Sequence, residues 1–334
     1  MPLAIPFPSW ITPEVFPGVP ILQYVRWYGV MYLCAFAIAY LLFKRQVKEG
    51  VLDRPGYMAT GDDVISFFTW GILGLLLGAR LFSVLIYDTS GLYRQKPWLV
   101  FWPFDSDMQF TGLQGMSYHG GFVGGFLGTI LWCLKKKQPL FRWIDVMAVS
   151  IPLGYTCGRL GNFINGELFG RVTTVPWGMI FPQARRFSVS LPWVQDMIEK
   201  SGISVPTGTL LVNLPRHPSQ LYEAFFEGVA LFLLLWFLRK HKPFDGFLSG
   251  MYIIGYGFVR FIIEYFREPD TDIGYRITAA GDAPTYINVS LLNISTGQIL
   301  CLCMIAMGLL LLLGTYLWYK KHPVAADVKQ SSTS

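Results

Sequence analysis

Seven long apolar stretches, each carrying few charges, limit what this chain can become. They run from Tyr24 to Phe43, Val64 to Tyr87, His119 to Leu134, Trp143 to Leu160, Gln220 to Leu238, Gly246 to Phe266 and Gln298 to Tyr319. About 20 apolar residues in a helix cross the hydrocarbon core of a bilayer, so each stretch reads as a membrane helix. The competing arrangement, seven buried helices of a large soluble protein, needs many more charged residues to cover an outer face. Only 14% of the 334 residues are charged, against about 25% in an average soluble domain. The fold class is therefore an all-α polytopic membrane protein with seven transmembrane helices.

The chain has 27 Lys and Arg against 21 Asp and Glu, a net charge of +6. Cytoplasmic loops collect Lys and Arg, and here every odd-numbered exit is basic. Lys44, Arg45, Lys48 and Arg54 follow the first span; Lys135, Lys136, Lys137 and Arg142 the third; Arg239, Lys240 and Lys242 the fifth; Lys320, Lys321 and Lys329 the seventh. The opposite sides carry such residues more thinly, which places the N-terminus outside and the C-terminus in the cytoplasm. The excess charge thus sets topology, and no nucleic acid is expected as a partner. Residues 1–23 contain Pro2, Pro6, Pro8, Pro13, Pro17 and Pro20 and no Lys or Arg, unlike a cleavable signal peptide. They read as an extended interfacial segment anchored by Phe7, Trp10 and Phe16. Residues 24–160 then hold spans one to four, 161–219 an outward head and active-site loop, 220–320 spans five to seven, and 321–334 a cytoplasmic tail. The polar end of that tail, Val324 to Ser334, reads as disordered.

All five cysteines lie inside apolar spans, so no disulfide framework is expected. Cys301 and Cys303 fall on different helix faces and make a poor metal pair. No phosphate loop, zinc spacing or heme motif occurs, and neither a metal nor a cofactor is expected. Gly120, Gly124 and Gly128 recur every four residues, as do Gly121 and Gly125, a spacing that lets membrane helices approach closely.

Ionisable groups at membrane depth are costly and usually mark function. Arg80 lies in span two and His119 opens span three. Arg159 ends span four, ahead of Asn162, Asn165, Glu167 and Arg171. Gln220, Glu223 and Glu227 share one stripe of span five; Tyr256, Arg260, Glu264 and Arg267 share one stripe of span six. By the inferred topology these clusters converge on the outward half. For Glu223, Glu227, Glu264 and Arg80 two readings stay open: neutralising partners that hold helices together, or working groups. For Arg159 and Arg260 the nearby acids do not explain guanidiniums on two separate spans, and Arg grips phosphate through paired hydrogen bonds. His119 is the one histidine within a span, and imidazole is the side chain most readily used as a base near neutral pH.

The run Gly158-Arg159-Leu160-Gly161-Asn162-Phe163-Ile164-Asn165-Gly166-Glu167-Leu168-Phe169-Gly170 resembles the signature of the bacterial phosphatidylglycerol:prolipoprotein diacylglyceryl transferase family. Further matching blocks are Trp27-Tyr28-Gly29, Met116 to Gly121, His217-Pro218-Ser219-Gln220-Leu221-Tyr222-Glu223, and Tyr256 to Phe261 with Glu264 and Arg267. They follow family order over nearly the full length.

The resemblance implies transfer of a diacylglyceryl group from phosphatidylglycerol to the lipobox cysteine of a prolipoprotein, with release of glycerol phosphate. It implies a multi-pass protein of the bacterial cytoplasmic membrane, its site toward the outer face and a small head between spans four and five. By residue-by-residue carry-over, Arg159 and Arg260 hold the phosphate and His119 is the candidate base. Tyr28, Asn162, Glu167 and Gly170 match positions on which the family's site depends, and Asn165, Glu223, Tyr256, Glu264 and Arg267 join them in the substrate-binding set. Glu264 orients Arg260. The acceptor thiol starts from a pKa near 8.5 and the leaving phosphate gains charge, needs that a base and one or two arginines meet. The stretches Tyr93 to Gly112 and Ala184 to Pro215 read as long departures from the family pattern. With Pro176, Pro182, Pro192, Pro206 and Pro215 in the head, short strands and turns are expected there rather than long helices. The rival reading is an anion transporter or channel with an arginine-lined site; the nearly pure apolar inward halves of the spans speak against it. A noncatalytic lipid-binding scaffold leaves His119 beside two arginines unexplained.

Overall fold

The computed structural model describes residues 4–19, 22, 25–88, 91–102, 104, 116–269, 274–278 and 284–322. The tail from Val324 and parts of the Tyr93 to Gly112 stretch lie outside them. Strand β1 (Ala4–Pro6) precedes three long helices, α1 (Trp27–Lys48), α2 (Gly61–Tyr87) and α3 (Tyr118–Lys135). Helix α4 (Leu140–Ile164) leads into the head, which holds β2 (Gly178–Ile180), β3 (Phe187–Ser188), α5 (Pro192–Ser201) and β4 (Leu211–Val212). Helices α6 (Ser219–His241) and α7 (Phe247–Ile263) follow, then β5 (Tyr275–Ile277), β6 (Ile294–Ser295) and α8 (Thr296–Lys321).

A long helix thus lies at each of the seven apolar stretches. Four of them, α1, α2, α6 and α8, are long and apolar enough to cross a membrane, and α7 is apolar but shorter. Five glycines thin the apolar content of α3, while Arg142, Asp145 and the internal Pro152 do so in α4. Leu33 and Leu85, each 72% exposed, and Leu310, 67% exposed, present apolar surface that suits lipid and not water. Together these features fit a multi-pass membrane protein.

The chain divides into two compact units, one made of Phe43–Ile144 and the other of Met1–Leu42 with Asp145–Ser334. In the first, Thr60 caps α2 in a reciprocal box with Asp63, satisfying backbone donors that a helix start leaves open. Helices α2 and α3 then pack at their glycines: a Cβ on Gly124 would stand 2.1 Å from the Gly74 carbonyl oxygen. The small-residue spacing therefore serves close helix contact, which holds lipid-embedded helices together where the hydrophobic effect between them is absent. Phe43, Phe67, Trp132 and Trp143 form a buried aromatic cluster below this contact. Arg80 donates to the carbonyls of Val100 and Leu99, and its ring contact is Tyr93.

In the second unit, Asp145 of α4 accepts from the Gly246 and Ser249 backbone N–H groups, both at 2.8 Å, and so caps α7 from a neighbouring helix. The head core gathers Val172, Phe187, Val194, Val212 and Leu214. One expectation needs correction here. The N-terminal segment does not merely lie at an interface, because β1 pairs in parallel with β2 in the head. Phe7 accordingly packs 5.5 Å from Phe163 and 5.4 Å from Phe181, while Trp10 remains 81% exposed. A strand edge with open backbone groups is satisfied by any chain that pairs with it, and β1 does so. The head also contains the ten-residue helix α5 among its short strands. Pro192 does not break it, since Pro fits the first turn of a helix, and Gly202 at φ 64° ends it.

Candidate active site

Helices α4, α6 and α7 each bring charged groups to one place. Tyr155 and Arg159 are four apart on α4, Gln220 and Glu223 open α6, and Arg260 and Glu264 are four apart at the end of α7, so helical spacing aligns each set. Within α6, residues Ala224–Ala230 wind as a π-helix, a wide turn that recurs at functional sites and here carries Glu227.

The Glu223 carboxylate is fully buried between two guanidiniums. Its Oε2 lies 2.9 Å from Arg159 Nε and 3.1 Å from Arg260 Nη1. Arg260 also meets Glu227 at 3.5 Å and Glu264 at 3.3 Å, and Arg267 stands 3.9 Å from Glu264. Ser295 donates to the other Glu264 oxygen at 3.2 Å. The Tyr155 hydroxyl donates to Glu227, accepts from Arg159 Nε, and its ring lies beneath the Arg159 guanidinium, 4.8 Å away. Three guanidiniums face three carboxylates, so the buried charges balance.

This corrects the expectation that the acids leave two separated guanidiniums unexplained. Glu223 accounts for both, reaching across from α6, a relation no spacing within one helix reveals. The balance does not exhaust the donors, however. Arg159 makes its contacts through Nε, and its side chain is 18% exposed. Among the described residues its two terminal nitrogens make no hydrogen bond.

A second knot forms where α4 ends. Asn162 and Asn165 donate to the Glu167 carboxylate at 3.0 and 3.3 Å, and Gln220 donates to the Glu167 carbonyl at 2.6 Å. Gly166 and Leu168 take left-handed conformations, φ 66° and 55°, that fold the run back. Gly170 donates to the His217 carbonyl at 2.8 Å. A Cβ there would stand 2.3 Å from the Phe266 carbonyl oxygen, so only glycine fits.

Tyr256 packs edge-on to Tyr155 with ring centroids 6.0 Å apart. Tyr28 lies on α1, 36% exposed, its hydroxyl 3.2 Å from that of Tyr32. His119, the second residue of α3, belongs to the other unit, where Tyr87 approaches its Nδ1 at 3.4 Å. Sequence reasoning passed over Tyr155, whose only signal is its place one turn before Arg159. It also passed over the head residues Arg216 and His217 as working parts of the site's frame.

In the head, the Arg171 guanidinium donates to the carbonyls of Arg267 (2.9 Å), Thr285 (3.1 Å) and Ile287 (3.3 Å) and to the Tyr275 hydroxyl. Burial pushes its pKa down to about 10. Arg216 pairs with Glu268, and burial lowers its pKa as well. Burial, with the Arg171 charge adding to it, holds His217 down to about 4, so this imidazole is neutral and hydrogen-bonds the Tyr222 hydroxyl at 3.2 Å.

The family model for prolipoprotein diacylglyceryl transferase matches residues 19–314. This chain belongs to that family. A phosphatidylglycerol–prolipoprotein diacylglyceryl transferase of Treponema denticola is 57% identical over 96% of this chain and 97% of its own length. One of Treponema pallidum is 52% identical over 92% of this chain and 94% of its own. One of Borreliella burgdorferi is 41% identical over 94% of each. With membership established on nearly the whole length, the arginine and carboxylate cluster becomes the natural place to look for the family's chemistry.

Proposed function

We propose that this chain transfers the diacylglyceryl group of phosphatidylglycerol to the thiol of a prolipoprotein's lipobox cysteine and releases glycerol phosphate. In this step the thiol sulfur forms a bond to the terminal glyceryl carbon, the bond from that carbon to the phosphate oxygen breaks, and the thiol proton passes to a base. The departing phosphate takes the electron pair and rises from one negative charge towards two. The observation that carries the reading is the meeting of Arg159 and Arg260 at buried Glu223 in a chain of this family.

The terminal nitrogens of Arg159 take the phosphate, and Arg260 adds positive potential where the charge grows. Glu223, Glu227 and Glu264 position Arg260, Arg267 extends the basic side, and Tyr256 packs behind Tyr155. Tyr28, Asn162, Asn165, Glu167 and Gly170 build the wall, with the last four set by the turn after α4. His119 takes the thiol proton. The chain sits in the bacterial cytoplasmic membrane with seven spans, the N-terminus and head outside and the C-terminus inside. Residues 24–160 and 220–320 form the membrane part, 161–219 the head, and 321–334 a cytoplasmic tail. The basic exits of the odd-numbered spans support this orientation.

The deciding assay incubates purified protein with phosphatidylglycerol and a lipobox peptide and follows glycerol phosphate release. Wild type releases it, and the peptide with Cys→Ser does not support release. Near-normal turnover by Arg159→Ala removes the phosphate role assigned to that residue.

A further inference from the structure

Arg159 is held by a charge and by a hydrogen bond, and the two come from different groups. The charge is that of Glu223, whose Oε2 lies 2.9 Å from Nε. Yet neither oxygen of this fully buried carboxylate accepts a hydrogen bond among the described residues. The single Nε–H goes instead to the Tyr155 hydroxyl, one helical turn away on α4. That hydroxyl in turn donates to Glu227 on α6. Chemistry fixes both directions, because a guanidinium only donates and an ionised carboxylate only accepts. The ring of the same Tyr155 lies 4.8 Å from the guanidinium carbon, and Tyr256 packs edge-on against that ring.

The backbone on both sides of this link is tied. Thr156, next to Tyr155, donates to the carbonyl of Ala224, next to Glu223, at 3.1 Å. Gly228, next to Glu227, lets α6 come close, since a Cβ there would stand 2.0 Å from Thr156 Oγ1. Hydroxyl and carboxylate are therefore presented to each other by pinned neighbours. The other arrangement open to Arg159 is close at hand. A guanidinium and a carboxylate favour a paired, two-bond contact, and Glu223 is near enough to offer one. Such a contact would turn a terminal nitrogen inward and use up the edge that a phosphate needs.

We infer that Tyr155 is a positioning residue, whose hydroxyl takes the Nε–H of Arg159 and so keeps the terminal edge of the guanidinium turned from Glu223 and open to the phosphate. The role at the phosphate rests on the transferase reading; the hydroxyl's hold on Nε does not. Tyr155 touches no reacting atom. Glu227 acts through it, because a hydroxyl that donates to an anion becomes a better acceptor. An acid on α6 thus strengthens the hold on an arginine of α4, a task separate from its contact with Arg260.

Two measurements on the full chain in detergent test this. The first is transfer to a lipobox peptide by Tyr155→Phe, which keeps the ring and loses the hydroxyl, in the wild-type background and in Arg159→Lys, which has no Nε–H to hold. The rate per folded molecule is expected to fall about tenfold in the first background and less than about twofold in the second. An unchanged rate in the wild-type background overturns the inference. So does an equal loss in both, which would place the effect of the hydroxyl on Glu227 and Arg260 instead. The second measurement needs no turnover. It follows hydrogen exchange by magnetic resonance in the chain isotope-labelled at arginine Nε, with the Arg159 signal assigned by its loss in Arg159→Lys. The Arg159 Nε–H is expected to exchange about tenfold faster or more in Tyr155→Phe than in wild type. A wild-type Nε–H that exchanges as fast as that of an exposed arginine overturns the inference, even where the Phe variant fails to fold. A slow, hydroxyl-dependent Nε–H without any transfer by wild type sinks the transferase reading alone, and transfer without that dependence sinks the role of Tyr155 alone.

Discussion

Arg171 in the head and Arg159 and Arg260 in the helices are all largely withdrawn from bulk water, yet they are neutralised in different ways. Arg171, 2% exposed, gives its N–H groups mainly to three backbone carbonyls in two other segments and works as a peg. Arg159 and Arg260 meet carboxylates, which Glu223 shares between them. Uncharged backbone carbonyls fixed in the fold suit a peg, whereas the proposed role of Arg159 requires that a guanidinium held by a carboxylate also take a phosphate. Burial alone therefore does not tell a structural arginine from a working one; the kind of partner does.

The sharpest way to break this contrast is to remove one arginine from each set. Arg159→Ala should cut the transfer rate per folded molecule by about a hundred- to a thousandfold, the usual cost of a lost donor at a developing anion, beyond the stability lost by leaving buried Glu223 with one guanidinium. A large drop in melting temperature with the rate per folded molecule preserved would move Arg159 into the structural set. Arg171→Met should do the reverse. It leaves three carbonyls without their donor, so it is expected to destabilise the protein by about 3 kcal/mol, read from thermal unfolding.

Acid unfolding sharpens the head side of the comparison. The folded chain holds His217 at about 4, below its ordinary value of about 6.5, so between these values the unfolded chain binds a proton that the folded chain does not. Stability falls as pH drops through this window, by about 3 kcal/mol in all, and the effect levels off below it. His217→Gln should flatten the wild-type slope between about pH 6.5 and pH 4; parallel profiles would show that His217 is not held neutral. A smaller effect is expected of Gly170→Ala, whose Cβ meets the Phe266 carbonyl and, at 2.8 Å, the His217 Cβ. Overpacking of this kind costs about 2 kcal/mol, measurable by the same melts.

Much of this was legible in the residues, and what was not has a common cause. Apolar runs located the long helices because length and hydropathy are local properties. Their ends ran further than the runs: α1 continues through Lys44, Arg45 and Lys48, since a helix does not stop where apolar residues do and long basic side chains reach back to water. The stripes of Gln220, Glu223, Glu227 and of Tyr256, Arg260, Glu264 were readable from helical spacing. The Glu223 bridge to Arg159 was not, because it depends on how α4, α6 and α7 pack. Phe7 was misplaced for the same reason: its packing partners Phe163 and Phe181 lie far along the chain. Helix α5 was hidden by its own Pro192, which signals a break in mid-helix and a start at the first turn.

The pairing of β1 with β2 bears on the order in which the molecule is assembled. Residues 4–6 are made early, but their partners, residues 178–180, follow only after α1 to α4. At ordinary elongation rates that interval is roughly ten to thirty seconds. An early-made strand thus waits unpaired while four helices are laid down, and its docking closes a loop that encloses them all. The other side of β2 is bridged at Met179 by Arg216. Until residues 4–6 return, one edge of the segment that bridges Arg216 has no strand partner.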